Sequence, residues 1–98
     1  MSRVLSIDEI KTYVEAVVPN YDVKKVTLYG DYADEDAKAE SVIKLLVEFN
    51  KEVVSLFVTS GMKLELEDLT GKAVDLLHAP VPNVRKLRIK KEVVLYGH

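Results

Sequence analysis

The first apolar pattern along the chain has the spacing of a helix. In Ile7–Val18 the apolar residues recur every three or four positions, which predicts an amphipathic helix with one face turned to a core. Ser6 and Glu9 stand three residues apart at its start, the spacing of a capping box. Pro19 follows and cannot continue a helix, so we expect the helix to end there.

Two compact apolar runs follow and predict two strands. The first is Val23–Tyr29, and the second, Val42–Phe49, is so apolar that we expect both of its faces to be covered. Gly30 suits a tight turn after the first strand because glycine tolerates sharp backbone geometry. Asp31 can cap a helix, so a short helix or a helical turn is predicted over Asp31–Glu40.

The second half of the chain predicts one more helix and two more strands. Glu52–Thr70 favours a helix ended by Gly71, although its Val53–Val58 portion fits helix or strand on periodicity alone. Lys72–His78 is predicted as the third strand and Val93–Tyr96 as a short edge strand. Helices and strands joined by short connections indicate a sheet with helices packed on it.

Length and composition describe one small domain over residues 1–98. The chain is 48% hydrophobic and 31% charged, with a net charge of −2 that gives no bias toward nucleic acid or membranes. It has no cysteine, and no apolar run is long enough to span a membrane, so a cytoplasmic location is expected. A core of this size is modest, and a partner or a second copy would help to cover apolar surface.

The segment from Leu28 to Phe49 resembles the signature of the minimal nucleotidyltransferases, small relatives of the DNA polymerase beta superfamily. That family reads G-S-x-A-R-G and, after a few residues, S-D-I-D-L-L-V-E-F, and a second stretch, Leu69–Leu77, is similar to its L-L-G-x-x-V-D-L-V segment. The resemblance implies an α+β fold (α/β-like) with a small mixed sheet. The residues that fit the first motif are Gly30, Tyr32, Ala33, Ser41, Ile43, Leu45, Leu46, Val47, Glu48 and Phe49.

The departures from this motif fall on the residues that carry the family's chemistry. Asp31 stands where the family has its phosphate-binding serine, which leaves only a degenerate phosphate turn at Gly30 and Asp31. Val42 and Lys44 stand where it has two metal-binding aspartates, and Asp75 is the one family ligand that remains. Magnesium needs oxygen ligands, so the resemblance implies a nucleotidyltransferase fold with no intact catalytic or metal site and no cofactor.

Two charged clusters offer other candidate sites. A set of acids after Gly30 suggests a cation site, but its spacing does not match a calcium loop, and a solvated helix with acids near its N-terminus accounts for it. A basic run suggests phosphate binding, yet no aromatic residue interleaves with it, and we favour a solvated helix that Asn83 would cap. The acids are Asp31, Asp34, Glu35, Asp36 and Glu40; the bases are Arg85, Lys86, Arg88, Lys90 and Lys91.

Three functions are therefore open from the sequence. The first is a catalytically inactive domain that acts through protein–protein contacts, as a homo-oligomer or with a small helical partner, since the family commonly pairs with toxin-like helical proteins as an antitoxin. The second is an active transferase that uses Mg²⁺ and a nucleoside triphosphate with rearranged ligands, Asp75 being assisted by Glu40 or Asp36. The third, which the sequence favours least, is nucleic-acid binding by the basic run. We also hypothesise that Lys44 replaces the metal and pairs with Asp75.

Overall fold

Two helices pack on one face of a four-stranded sheet. The computed structural model describes residues 4–51, 54–79 and 91–97. Residues of both helices and of all four strands contribute to a single core cluster, which places the helices on the same side of the sheet. In chain order the elements are α1 (Ile7–Val17) with a 3₁₀ turn (Val18–Asn20), β1 (Val23–Tyr29), β2 (Ile43–Phe49), α2 (Leu56–Thr70), β3 (Val74–Ala79) and β4 (Val93–Tyr96).

The sheet is mixed, with the strand order β3-β2-β1-β4. Strand β1 pairs antiparallel with β2 and with β4, while β2 pairs parallel with β3. A parallel pair needs a crossover, and α2 supplies it between β2 and β3. The α+β fold class with a small mixed sheet is therefore confirmed, and so is the prediction of an edge strand at Val93–Tyr96.

Strand β2 buries every second side chain against the helices. Ile43, Leu45 and Val47 are each at most 1% exposed, whereas Lys44 between them is exposed. Leu46 on the opposite face is only partly buried. The expectation that both faces of this strand are covered is therefore wrong, because the two helices in the described part of the chain lie on one face. The opposite face carries the side chains of the candidate site.

Helix α1 begins as its sequence predicts. The Ser6 hydroxyl accepts a hydrogen bond from the Glu9 backbone N–H at 3.0 Å, and the Glu9 carboxylate accepts one from the Ser6 N–H at 2.9 Å. These reciprocal bonds satisfy donors that the first helical turn otherwise leaves unpaired. The helix changes to a 3₁₀ turn at Val18, one residue before Pro19.

Helix α2 begins later than predicted and ends where predicted. Ser55 caps it by accepting a hydrogen bond from the Phe57 N–H at 3.0 Å, which establishes Leu56 onward as helix. Gly71 closes it in the left-handed conformation, with φ of 69°, as expected of a glycine cap. Among the described residues no helix is long and apolar enough to cross a membrane.

The segment Asp31–Glu40, for which a short helix or a helical turn was expected, forms successive turns and no helix. The Asp34 N–H donates to the Gly30 carbonyl at 2.9 Å, but Glu35 then adopts a positive φ of 59°, which no right-handed helix accommodates. Asp31 and Glu35 also stand four residues apart, where like charges destabilise a helix. Asp31 is thus no helix cap, and a helix dipole does not explain the acidic cluster.

Two other expectations on the second half of the chain have different outcomes. The third strand begins at Val74, two residues later than predicted. The last helix, which Asn83 was expected to cap, lies outside the described residues together with every member of the basic run except Lys91. Lys91 forms an ion pair with Glu35, with 3.6 Å between Nζ and Oε2.

Removal of the α1 cap should destabilise the fold. In Ser6→Ala we expect the free energy of unfolding to fall by about 1 kcal/mol, since the Glu9 N–H loses its acceptor. Urea unfolding followed by circular dichroism measures this loss. The matched control is Ser60→Ala on the exposed side of α2, where no cap is lost and alanine is the better helix former. Equal losses in the two variants would contradict the capping account.

Candidate functional site

The candidate site begins at the turn that ends β1. Gly30 has a φ of +78°, a conformation that L-residues with a side chain rarely adopt. This geometry lets the chain leave the sheet at once, and the Asp34 N–H closes the turn on the Gly30 carbonyl. The turn lies beside the start of β2, because Tyr29 before it pairs with Lys44.

Three side chains lie in a row across the sheet at this end. Tyr29 of β1 is opposite Lys44 of β2, and Lys44 is beside Asp75 of β3. Residues paired in this way share a face of the sheet, which here is the face away from the helices. Tyr29 is 7% exposed, whereas Lys44 and Asp75 are exposed. The sequence hypothesis was therefore right about the strand positions of Lys44 and Asp75.

The side chain of Lys44 nevertheless turns away from Asp75. A Cβ added at Gly30 would lie 2.8 Å from Lys44 Cδ, so the lysine stem packs over the turn after β1. Since β2 lies between β1 and β3, this direction leads away from the strand that carries Asp75. The ion pairs seen among the described residues, such as Lys24 with Glu48 and Lys91 with Glu35, do not include one between Lys44 and Asp75. The hypothesised Lys44–Asp75 pair is thus wrong, because the lysine stem finds apolar contact on the Gly30 turn.

The segment after the turn folds back to form a cavity next to Lys44. Ser41 holds the two ends of this segment together, because its hydroxyl donates to Asp31 Oδ2 at 3.2 Å and accepts from the Lys38 N–H at 2.8 Å. The cavity has a volume of about 560 Å³. It is lined by Asp31, Asp36, Lys38, Glu40, Ser41, Val42 and Lys44.

A buried lysine fixes this segment to the rest of the fold. Lys72, which follows the Gly71 cap of α2, is 7% exposed. Its ammonium donates to the Ala39 carbonyl at 2.8 Å, and the Ile43 N–H donates to the Ala73 carbonyl at 2.9 Å. The sequence did not identify Lys72 as a site residue. The one signal that Lys72 would be held close to the core was its position directly after the glycine that caps α2.

The donor set does not fit a magnesium ion. Magnesium takes nearly octahedral oxygen coordination, usually through one or two carboxylates besides phosphates and water. Val42 offers no donor, and the ammonium of Lys44 repels a cation. Asp75 is not among the residues that line the cavity. Among the described residues no three His, Asp or Glu side chains are grouped so that they could hold a metal ion.

Tyr29 is a member of this site that sequence reasoning missed. Burial raises the pKa of its hydroxyl above the usual value, and the negative charge of Asp75 raises it further. The neutral phenol is therefore favoured over the phenolate. The signal in the sequence that could have identified Tyr29 was its position at the end of a strand, directly before Gly30. The arrangement as a whole gives a neutral phenol, an ammonium group and a carboxylate in sequence across three strands.

The topology and the Gly30 turn define a nucleotidyltransferase-like domain, and comparison with known proteins agrees. No family model matches the chain. A protein of Methanocaldococcus jannaschii named putative protein adenylyltransferase MJ0435 is 36% identical over 92% of this chain and 97% of its own length. A solved structure of a putative minimal nucleotidyltransferase is 26% identical, with a TM-score of 0.70 over 91% of this chain and 95% of the other. The chain belongs to the minimal nucleotidyltransferase family.

A third comparison shows the fold in a complex. One chain of the structure of a tri-AMPylated HEPN toxin from Shewanella oneidensis with an MNT antitoxin matches with a TM-score of 0.70. The match covers 93% of this chain and 72% of the other at 13% identity, so it supports the fold alone.

The Tyr29 phenol should respond to the charge on Asp75. In Asp75→Asn we expect the Tyr29 pKa to fall, while burial keeps it above the ordinary value. NMR titration of tyrosines labelled at Cζ resolves the individual phenols. The control is Glu65→Gln, which should lower the pKa of Tyr21 and leave Tyr29 unchanged, because Glu65 raises the pKa of Tyr21 alone. An unchanged Tyr29 pKa in Asp75→Asn would contradict the proximity of these two side chains.

Proposed function

We propose that this protein is a catalytically inactive nucleotidyltransferase-like domain that acts through protein–protein contacts, in the manner of an antitoxin. The observation that carries the proposal is the row at the start of β2. The fold places the ammonium group of Lys44 beside Asp75, and the isopropyl group of Val42 lines the same cavity as Lys44. The proposal keeps the cytoplasmic location expected from the sequence.

The loss of metal ligands removes the main catalytic device of the family. A bound Mg²⁺ would neutralise phosphate charge and activate the attacking oxygen in phosphoryl or nucleotidyl transfer. The aliphatic stem of Lys44 instead covers the Gly30 turn, and Asp75 remains as a lone exposed carboxylate. No step of a transfer reaction can be assigned to these side chains, which supports inactivity.

The charges around the Gly30 turn, where the family binds phosphate, independently support catalytic inactivity. The Asp31 carboxylate lies directly after the turn and accepts a hydrogen bond from Ser41. Asp36 and Glu40 line the same cavity, so three carboxylates outnumber the two ammonium groups of Lys38 and Lys44. A triphosphate would meet like charge at this position, and like charges repel.

Contacts with another protein are supported by exposed apolar side chains on α2. Leu56 is 83% exposed and Phe57 is 89% exposed, both in the first turn of this helix. Large apolar side chains that are adjacent and exposed mark interaction surfaces. We expect the partner to be a second copy of this chain or a small helical protein of the kind with which the family commonly pairs. Helix α1 does not offer such a surface through its apolar side, which it turns to the core with Ile10 and Val14.

The alternative is an active transferase that uses Mg²⁺ and a nucleoside triphosphate with rearranged ligands. The name of the Methanocaldococcus jannaschii relative, a protein adenylyltransferase, favours it. The carboxylates of Asp36 and Glu40 also lie in the cavity beside Lys44. Against it stands the absence of Asp75 from that cavity, since the alternative needs Asp75 to act together with one of those two acids.

The proposal predicts that no nucleotide is transferred. Purified protein incubated with Mg²⁺ and α-labelled ATP, with itself and a small helical protein as acceptors, should yield no labelled protein above a no-protein blank. The reason is the missing oxygen ligands at Val42 and Lys44.

The control for this assay is Asp75→Ala, in which the last family ligand is gone. Wild-type protein and this variant should be equally inactive. Transfer by the wild-type protein that disappears in Asp75→Ala would contradict the proposal and establish the alternative.

A further inference from the structure

We infer that this protein forms a two-fold dimer in which Phe57 of each copy enters a cavity at the start of α2 in the other copy. The inference deepens the proposed protein-binding function and rests on it. It concerns the end of the sheet opposite the Gly30 turn, so it does not depend on whether that turn binds nucleotide.

Phe57 is an unusual surface residue. It is 89% exposed although its neighbours along the chain, Val54 and Val58, are partly buried against the core. The helix is fixed at this point, because the Ser55 side chain caps it through the Phe57 N–H itself. An aromatic side chain on a rigid helical turn loses little conformational entropy on binding, and such residues dominate interface energies.

A cavity of about 360 Å³ lies directly beside this residue. The wall is largely aromatic and aliphatic, and its size suffices for a ring, since a cavity of roughly 150 Å³ is known to take up benzene. Its charged members, Asp22 and Lys51, are of opposite sign, so no net charge opposes an apolar guest. The lining residues are Asn20, Tyr21, Asp22, Phe49, Lys51, Val54, Ser55 and Val58.

The position of the cavity indicates a second copy as its occupant. Val54, Ser55 and Val58 line the cavity, and Phe57 belongs to the same turn of chain. When a protruding group and its receptor are adjacent on one surface, a two-fold axis between two copies satisfies both contacts at once. The exposed Leu56 would be covered in the same interface. One closed dimer thereby removes the two most exposed apolar side chains among the described residues from water.

The first test measures association. Sedimentation equilibrium of the wild-type chain should show a monomer–dimer equilibrium, and Phe57→Ala should raise its dissociation constant by about 30-fold or more, the scale of an interface hot spot. Because Phe57 is exposed in the monomer, this substitution should leave the unfolding curve unchanged at protein concentrations low enough for the wild-type chain to be monomeric. The matched control is Leu69→Ala, which removes an apolar side chain 47% exposed at the far end of α2 and should leave association unchanged.

The second test observes entry into the cavity. The chain has no tryptophan, so Phe57→Trp introduces a single indole whose emission can be followed alone. This emission should shift to shorter wavelength as protein concentration rises, and Leu69→Trp should show no such shift. Adding Val54→Lys to Phe57→Trp places a charge in the cavity wall and should abolish the shift, with circular dichroism confirming that the double variant is folded.

The outcomes separate this inference from the proposed function. A strictly monomeric wild-type chain, a dimer that persists in Phe57→Ala, or an indole emission of Phe57→Trp that does not change with concentration would each overturn the dimer. A monomer that binds a small helical protein through Leu56 and Phe57 would overturn it too, while leaving the proposed function intact. Nucleotide transfer would overturn the catalytic inactivity in the proposed function, but it would leave the protein-binding part, on which the dimer rests, standing.

Discussion

The fold depends on the alternating burial of side chains along β2 between its two neighbouring strands. Because side chains on a strand alternate with a period of two, a slip of one residue would expose Ile43 and Leu45 and bury Lys44 instead. This cost fixes the pairing with β1 on one side and with β3 on the other. That register also places Tyr29, Lys44 and Asp75 in a row across the sheet. Their positions therefore do not depend on which side chains these three residues carry.

This separation of scaffold and chemistry is compatible with the proposed inactivity, because side chains outside the core can change without loss of the fold. Lys44, at a position that the resemblance assigns to a metal ligand, lies on the face away from the helices, where it costs no core packing. Lys44 does not replace the ion as a partner of Asp75. It lies over the Gly30 turn, and Asp75 acts through its charge on the Tyr29 phenol. Of the acids after this turn, Asp31, Asp36 and Glu40 line a cavity, and Glu35 forms an ion pair with Lys91.

The sequence predicted the elements whose signals are local and strong. The capping box at Ser6, the apolar run of β1 and the glycine that closes α2 all have direct physical counterparts in the structure. It failed over Asp31–Glu40, where the positive φ of Glu35 has no signature in residue type. It also failed for Lys44, because whether a long side chain turns to a neighbouring charge or to a nearby backbone depends on packing between strands, which periodicity does not encode.

Calorimetric titration with ATP and GTP, with and without Mg²⁺, tests the central claim most directly. The two positions that lack oxygen ligands are exposed, so the double variant Val42→Asp with Lys44→Asp should fold normally and serves as the reference. We predict no Mg²⁺-dependent heat of nucleotide binding for the wild-type chain and a measurable one for the double variant. Mg²⁺-dependent binding by the wild-type chain, lost in Asp75→Ala, would contradict the conclusion that this fold has given up its metal site.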